Sequence, residues 1–311
     1  MAFCRHAILP LQDNVYWPKA EAESREPKAD SLCLSFARSP DDPITRLFYT
    51  SLPMRVVVIV PAAGLGTRMA VQSGARPGQT TKQFAEIAGK PILLHTLEKF
   101  AQVPEVSDIY IAVRENETDR LHDFLAAQRL RPTMHVVVGG DHRQQSVANA
   151  LAAVKADALD VVLVHDAVRP FVDPEIIENV IQCAAKYGAA IAGLPAVDTI
   201  KHVERTAEGA IVTSTVPRER VVMAQTPQGF RYELLKRVFD EAAQDGFIGT
   251  DEASLVERAG HQVAVVMGSP KNIKITTPSD MELAEFYARE SDERGSHHGG
   301  TETRRKAEGG L

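Results

Sequence analysis

Two cationic side chains near one glycine-bearing loop are the residues of this chain best suited to phosphate chemistry. The loop Pro61–Arg68 (PAAGLGTR) contains two glycines and follows the apolar run Val56–Val60, and Lys82 comes later in a polar segment, TTKQF. Small residues let a backbone approach a ligand closely. A planar Arg fork and a mobile Lys stabilise the charge that develops on phosphate oxygens during attack on phosphorus. Arg68 and Lys82 therefore predict a nucleotide-phosphate site.

This loop matches neither of the two common phosphate-binding patterns. GxxxxGK[ST] is absent, and GxGxxG would need a glycine where Met69 stands. Taken alone, the two glycines also fit a plain βα turn, and Lys82 alone fits a solvated surface lysine. Arg68 and the polar neighbours of Lys82 in Thr80–Gln83 favour the phosphate site.

The bulk composition excludes several classes of protein. The 311 residues carry a formal net charge of −6, and 44% are hydrophobic, which suffices for one sizeable core. A nucleic-acid-binding chain would show a basic balance or stripe, and no apolar run approaches the roughly 18 residues of a membrane span. Cys4, Cys33 and Cys183 form no CxxC pair, which fits a reducing compartment and predicts no metal cluster. We expect a cytoplasmic protein.

The two ends of the chain differ in composition from its middle. Residues 1–53 are rich in Pro, Ser and Asp without periodicity, so we expect a disordered extension or a start codon miscalled upstream of Met54. Residues 291–311 are charged and glycine-rich, which predicts a disordered tail. The folded domain is expected over residues 54–290.

Strands and helices alternate between these ends. Strands are predicted at Arg55–Val60, Asp108–Val113, Met134–Val138, Val161–His165 and Ala189–Leu194. Helices are predicted between them at Pro91–Gln102, Glu117–Gln128, Arg143–Val154 and Pro174–Lys186. Successive βα units of this kind predict an α/β fold with a doubly wound, mostly parallel sheet.

The alternation changes after Leu194. Residues 197–216 predict a hairpin of two polar strands around Glu208-Gly209. The remaining predicted elements are helices at about 231–243 and 251–259, short strands at Gln262–Met267 and Ile273–Ile275, and a last helix after Ser279-Asp280.

Four polar or glycine-rich clusters follow predicted strands at their carboxyl ends. They are Pro61–Arg68, Gly139–Asp141, Asp166–Pro170 and Asp198–Lys201. Ligands bind at this edge in open α/β sheets. We therefore expect the clusters to form one site.

Asp166 ends the predicted strand Val161–His165. Its carboxylate could hold Mg²⁺ or a ribose hydroxyl, and a helix N-cap or an ion pair with Arg169 explains it equally well. His165 is interpreted as a core histidine, because attack by a phosphate on a triphosphate needs no proton removed. Lys274 lies in an apolar segment, where a lysine is unfavourable unless an anion pairs with it.

The segment after the third predicted strand suits contacts to a base and sugar. Gly139, Gly140, Asp141 and Ser146 could supply backbone groups and a hydroxyl. Alternatively the glycines only turn the chain, and Asp141 is expected to cap the next helix in either case. Further on, Thr250–Glu252 precedes an apolar run, and a helix start suffices to explain its two acidic residues.

Nine motifs occur in a fixed order: PAAGLGTRM, TTKQF, GGDHRQQSV, VHDAVRP, VDTIK, TVPRE, QTPQGF, TDEAS and NIKITTPSD. Together they resemble the 2-C-methyl-D-erythritol 4-phosphate cytidylyltransferase family, over about Arg55–Ala288. The resemblance implies a Rossmann-like nucleotidyltransferase of isoprenoid precursor synthesis. Such an enzyme transfers CMP from CTP to the sugar-alcohol phosphate and releases pyrophosphate, with Mg²⁺ held mainly by the CTP phosphates.

The resemblance also implies roles for individual residues. Arg68 and Lys82 would stabilise the transition state, and Arg218 and Lys274 would aim the attacking phosphate. The implied nucleotide-binding residues are Ala62, Ala63, Gly64, Gly140, Asp141, Ser146, Asp166 and Ala167. The implied substrate-binding residues are Asp166, Arg169, Thr199, Arg218, Thr226, Thr250 and Lys274. The hairpin 197–216 would clasp a second subunit, so that Thr199 and Arg218 act across a homodimer.

Two features depart from the family pattern, and two other functions stay open. The spacer Ala70–Gln79 is longer than usual, and Val168 stands where alanine is commoner. Ribitol-5-phosphate cytidylyltransferases share the loop and several motifs, although TVPRE and TDEAS favour the methylerythritol substrate. A non-catalytic nucleotide-binding protein would be expected to lack Arg68, Lys82 or Lys274, and all three are present.

Overall fold

The computed structural model describes residues 54–64 and 82–298, with the backbone alone for 291–298. The predictions for residues 1–53, for Arg68, for the spacer 70–79 and for residues 299–311 lie outside the described residues.

The strands of the described residues form one large sheet and two small ones. They are β1 (Val56–Pro61), β2 (Glu86–Ile87), β3 (Lys90–Pro91), β4 (Val106–Val113), β5 (Thr133–Val138), β6 (Val161–Val164), β7 (Ala189–Pro195), β8 (Ile200–Thr206), β9 (Gly209–Val216), β10 (Val222–Arg231) and β11 (Ala264–Met267). The large sheet has seven strands in the order β11-β7-β10-β6-β1-β4-β5. All neighbouring pairs are parallel except those of β10, which runs antiparallel to β6 and β7. The predicted α/β class with a mostly parallel sheet is confirmed.

Helices cover both faces of this sheet. They are α1 (Ile92–Ala101), α2 (Thr118–Ala126), α3 (Arg143–Ala153), α4 (Pro174–Tyr187), α5 (Tyr232–Gln244), α6 (Glu252–Arg258) and α7 (Pro278–His298). Side chains of β1 alternate between two cores because successive residues of a strand face opposite sides. Val58 lies in one buried cluster with Leu97 of α1 and Val180 of α4. Ile59 lies in the other with Leu151 of α3, and burying each such side chain stabilises the fold by about 1.5–3 kcal/mol.

The strand β10 was not predicted, although it lies inside the sheet between β6 and β7. Its sequence includes Pro227 and Gly229, which are unfavourable in a central strand. An irregularity of the β7 pairing between Ala224 and Gln228 accommodates the proline. A Cβ at Gly229 would lie 2.8 Å from a methyl group of Val180, so the glycine lets α4 pack closely on the sheet.

The end of the domain also differs from expectation. Residues 273–276 are irregular, so the predicted strand Ile273–Ile275 is wrong. The last helix, α7, begins at Pro278 rather than after Asp280, because the Asp280 carboxylate accepts hydrogen bonds from the N–H groups of Thr276 and Thr277, both at 2.7 Å. It continues through residues 291–298, which were predicted to be disordered. Extending an existing helix avoids the cost of nucleating a new one.

The strands β8 and β9 pair only with each other, as a separate two-stranded sheet. This hairpin was predicted over residues 197–216. Its side chains are exposed along almost the whole length of both strands. Within residues 54–64 and 82–298, none of the helices combines the length and apolar character needed to cross a membrane.

Candidate active site

A cavity of about 300 Å³ opens at the carboxyl edge of the sheet, where β1, β5 and β6 end. Ten of the sequence-predicted site residues line it: Ala62, Ala63, Gly64, Lys82, Gly140, Asp141, Ser146, Asp166, Ala167 and Lys274. Three of the four predicted strand-end clusters therefore meet in one place, as expected from the rule for open α/β sheets.

The turn after β5 is shaped by close approaches that require glycine. A Cβ at Gly139 would lie 2.6 Å from the Cβ of Ala63, and a Cβ at Gly140 would lie 2.3 Å from Gln145. The N–H of Gly140 donates to the Ser146 hydroxyl at 3.1 Å. The two glycines thus bring this turn against the loop that follows β1, and Gly140 lines the cavity together with Ser146.

His142, and not Asp141, caps the helix α3. The imidazole Nδ1 of His142 accepts from the N–H of Gln145 at 3.2 Å, as an N-cap side chain does. The predicted capping role of Asp141 is therefore wrong. Asp141 lies one residue before the cap, and its exposed carboxylate is left at the cavity.

The Asp166 carboxylate is the centre of the charged part of the cavity. Its Oδ1 accepts from Arg143 Nε at 3.0 Å, and its Oδ2 lies 2.8 Å from Lys274 Nζ and 3.6 Å from Arg169 Nε. Burial by itself raises the pKa of Asp166, but Arg143 and Lys274 outweigh burial and hold that pKa well below its usual range. The prediction that Lys274 needs an anionic partner is confirmed, as is the ion pair with Arg169.

Arg143 and Glu252 were missed as members of this network. Arg143 Nη1 lies 2.7 Å and 3.0 Å from the two carboxylate oxygens of Glu252, whose side chain is only 1% exposed. Burial by itself lowers the pKa of Arg143, but the carboxylates of Glu252 and Asp166 outweigh burial and raise that pKa above its usual value. Asp251 caps α6 as predicted, in a capping box with Ser254. The helix start does not suffice to explain Glu252, because its carboxylate is directed to Arg143 on another helix.

A chain of hydrogen bonds supports Asp166 from behind the cavity. The N–H of Asp166 donates to the Thr226 hydroxyl at 3.1 Å, and that hydroxyl lies 3.2 Å from His165 Nδ1. His165 Nε2 lies 3.1 Å from the carbonyl oxygen of Arg169 and must be the donor, because a carbonyl only accepts. Nδ1 is then the acceptor for the Thr226 hydroxyl. Burial lowers the pKa of His165 to about 4, so the ring is neutral and is the core histidine that was predicted.

Five sequence-predicted site residues do not line this cavity. Thr226 and Arg169 lie behind Asp166, and Thr250 is exposed in the loop before α6. Thr199 is exposed at the start of the hairpin. Arg218 lies at the hairpin's other end, where its Nη1 donates to the carbonyl of Val197 at 2.9 Å and the side chain lines a second cavity of about 340 Å³.

The fold and the cavity together define a nucleotidyltransferase. A Rossmann-like sheet presents a small-residue loop, two lysines and a carboxylate saturated by cations at its ligand-binding edge, which suits a triphosphate and a second anionic group.

Comparisons with known proteins specify the class further. The family model of 2-C-methyl-D-erythritol 4-phosphate cytidylyltransferase matches residues 56–290, and the chain belongs to this family. A relative of that name from Acidobacterium capsulatum is 60% identical over 78% of this chain and 100% of its own length. Another from Solibacter usitatus is 52% identical over 76% of this chain and 97% of its own length. The solved 4-diphosphocytidyl-2C-methyl-D-erythritol synthase of Anaerococcus prevotii superposes with a TM-score of 0.64 at 28% identity, covering 76% of this chain and 100% of that one.

Proposed function

We propose that this chain transfers CMP from CTP to 2-C-methyl-D-erythritol 4-phosphate, forming 4-diphosphocytidyl-2-C-methyl-D-erythritol and pyrophosphate. The observation that carries the proposal is the meeting of Lys82 and Lys274 with the loop Ala62–Gly64 around one cavity. Lys82 and the loop suit a triphosphate, and Lys274 suits the phosphate of a second substrate. An enzyme joining two phosphate compounds needs both.

The reaction is an in-line displacement at the α-phosphorus of CTP. A phosphate oxygen of the sugar-alcohol phosphate forms the new O–P bond, and the bond from the α-phosphorus to the bridging oxygen breaks, so pyrophosphate leaves with that electron pair. Lys82 stabilises the charge that accumulates on the oxygens of the pentacoordinate phosphorus. No base is required, in agreement with the buried and neutral state of His165.

The ion-pair network gives Lys274 a fixed place. Asp166 holds the Lys274 ammonium at 2.8 Å, and Arg143 holds Asp166 at 3.0 Å. The side chain of Lys274 is still 39% exposed, so its ammonium can also meet a phosphate in the cavity. The side chain of Lys274 is already ordered before the substrate binds. It can therefore orient the nucleophile with little further loss of side-chain conformational entropy.

The Asp166 carboxylate fits Mg²⁺ only as a minor ligand. Both oxygens of Asp166 are already engaged by cationic side chains. No group of three or more metal-ligating side chains is found in residues 54–64 and 82–290. We therefore expect Mg²⁺ to be held mainly by the CTP phosphates, where it would neutralise their charge.

We further propose a cytoplasmic homodimer joined through the hairpin β8–β9. The hairpin exposes Ile211 at 62% and Val212 at 57%, an unusual display of β-branched side chains on an element that pairs with no other strand of the described residues. Thr199 and Arg218 at its root would reach the cavity of a second copy. The scattered cysteines agree with a reducing compartment.

Pyrophosphate release tests the proposed reaction. The purified chain with CTP and Mg²⁺ should release pyrophosphate rapidly with methylerythritol phosphate, far more slowly with ribitol phosphate, and hardly at all when Mg²⁺ is chelated. Faster release with ribitol phosphate would reassign the substrate. No release with either compound would contradict the proposed reaction.

A further inference from the structure

Three hydrogen bonds between described residues hold Ala62 and Ala63, at the start of the loop after β1, in place. The N–H of Ala62 donates to the carbonyl of Ala112 at 2.7 Å. The carbonyl oxygen of Ala62 accepts from Gln83 Nε2 at 2.5 Å, and that of Ala63 accepts from Arg114 Nε at 3.1 Å. Two of the three contacts therefore come from side chains that fix the direction of peptide groups.

The contact from Arg114 sets the direction of one particular N–H group. Ala63 and Gly64 line the cavity, whereas Arg114 contacts the carbonyl of Ala63 without lining the cavity. In a trans peptide the C=O and N–H point in opposite directions. The carbonyl of Ala63 is directed to Arg114, so the N–H of Gly64, which belongs to the same peptide, points away from Arg114, and Gly64 itself lines the cavity. Among the described residues this N–H has no hydrogen-bond partner.

The charge of Arg114 also changes the strength of this donor. A cationic donor on a carbonyl polarises the amide, and hydrogen bonds in a chain strengthen one another. An anion in the cavity would then receive a stronger hydrogen bond from Gly64 than from an ordinary peptide. Arg114 thus acts on the anion through the peptide without touching it.

One nitrogen of Arg114 does not contribute a hydrogen bond to the described fold. Its Nη2 is buried and has no hydrogen-bond partner among the described residues. A buried donor without a partner destabilises a fold by about 1–3 kcal/mol. A neutral side chain could reach the carbonyl of Ala63 without that penalty.

We infer that Arg114 is a positioning residue for nucleotide binding, which directs and polarises the Ala63–Gly64 peptide toward the phosphates of the nucleotide. The inference rests on the proposed function, since it assumes that this cavity binds a nucleoside triphosphate. It adds a residue that none of the nine sequence motifs contains.

Three substitutions separate the effects of charge and of the hydrogen bond. Arg114→Lys keeps a charged donor, Arg114→Gln keeps a neutral one, and Arg114→Met keeps neither. Arg131→Met is the matched control, because Arg131 donates to the carbonyls of Val103 and Pro104 at the opposite edge of the sheet. The control measures what the loss of a similar arginine-to-backbone contact does to the fold.

Calorimetric titration with CTP measures the binding step in the full-length protein. We expect the dissociation constant to rise by about tenfold in Arg114→Met, less in Arg114→Gln and least in Arg114→Lys. KM for the sugar-alcohol phosphate should stay unchanged, and Arg131→Met should bind CTP as the wild type does. A structural role alone would lower the melting temperature of both Met variants and leave CTP affinity intact.

The Gly64 amide reports the mechanism directly. In protein labelled with ¹⁵N-glycine, CTP should move the Gly64 amide proton downfield, and this shift should shrink in Arg114→Met. Gly64→Ala identifies the signal, since a Cβ there meets no atom within 4 Å. Wild-type CTP affinity and shift in Arg114→Met would overturn the inference while leaving the proposed function intact. A wild-type protein that binds no CTP would overturn both.

Discussion

The cavity and the hairpin β8–β9 are opposite kinds of surface on one chain. In the cavity, charged groups from different elements are paired around two buried carboxylates: Asp166 with Arg143 and Lys274, and Glu252 with Arg143. On the hairpin, polar and β-branched side chains are exposed, and its strands pair only with each other. The cavity is organised within one chain, whereas the hairpin is the exposed surface that we propose to pair with a second copy.

This difference divides the implied site residues into two groups. Lys82 and Lys274 line the cavity of their own chain, whereas Thr199 and Arg218 stand at the root of the hairpin, outside it. If the hairpin completes a second copy's cavity, its residues should matter for the second substrate and for assembly. Changes in the cavity should affect chemistry and the chain's own stability.

The largest effect is expected at Lys82. Lys82→Ala should lower kcat by about 10²–10³-fold with the fold intact, because one transition-state donor is removed. Steady-state kinetics and circular dichroism measure the two quantities. Lys236→Ala removes an exposed lysine that pairs with Asp240 on α5, and should leave kcat unchanged. Wild-type turnover in Lys82→Ala would remove Lys82 from the chemistry.

The next largest effect is expected on the pH dependence of the free energy of unfolding, and it comes from His165. Its pKa is about 4 in the folded chain against 6.5 in the unfolded chain, so the unfolded chain takes up the proton first as the pH falls. The contribution of His165 to the free energy of unfolding is therefore fully present above pH 6.5. The free energy of unfolding should fall by about 3 kcal/mol as the pH is lowered from 6.5 to 4. Asp166 contributes in the same direction, but at lower pH, because its pKa is depressed.

Urea unfolding at several pH values tests this, with His165→Gln as the variant. The variant should lose most of the pH dependence between 6.5 and 4. His202→Gln, at an exposed position on the hairpin, should keep it. An unchanged slope in His165→Gln would show that another group is responsible.

A comparable effect on dimer assembly is expected when Ile211, which is 62% exposed on β9, is replaced. Ile211→Glu should weaken dimerisation by about tenfold to a hundredfold, since an apolar side chain leaves the interface and a charge enters it. Light scattering across a dilution series measures the dissociation constant. Leu159→Glu is the control, because Leu159 is also exposed but lies outside the hairpin. Equal behaviour of the two variants would mean that the hairpin is not the interface.

The smallest effect is expected at Glu252. Glu252→Gln keeps the shape but removes the negative charge that fixes Arg143 at 2.7 Å. Arg143 should then hold Asp166 less firmly, and kcat/KM should fall by about tenfold. Glu252→Ala should lose more, since it also leaves a gap and removes one of the two carboxylates that Arg143 pairs with. A kcat/KM equal to the wild type in Glu252→Gln would limit this pair to a structural role.

Local patterns in the sequence predict most of the sheet and part of the site. Runs such as Val56–Val60 are β-branched and apolar, so their strands were predicted within a few residues. The unusual position of Lys274 among apolar neighbours predicted an anionic partner, and Asp166 is that partner. In each case the signal lies within a few consecutive residues.

The missed features depend on tertiary structure. β10 carries proline and glycine, so local propensity opposes the strand that its two neighbours impose. The Arg143–Glu252 pair joins two helices through residues 109 positions apart, and a helix start already explained the acidic residue. Whether Asp141 or His142 caps the helix depends on which residue is the last with a non-helical backbone before the helix begins. Two adjacent polar residues in the sequence do not reveal this.

Mixing two inactive variants tests the division between cavity and hairpin most directly. Lys82→Ala and Arg218→Ala should each be nearly inactive as homodimers. After subunit exchange at equal amounts, half of the dimers are mixed, and one site in each should combine an intact Lys82 with an intact Arg218 from the partner. Activity should return to about a quarter of the wild-type value.

The matched control mixes Lys82→Ala with Lys274→Ala, since both residues line the cavity of one chain. That mixture should stay inactive. Recovery with Arg218→Ala and none with Lys274→Ala is the predicted result. If the mixture with Arg218→Ala shows only the summed activity of its parents, Arg218 serves its own chain, and the hairpin does not complete a second copy's site.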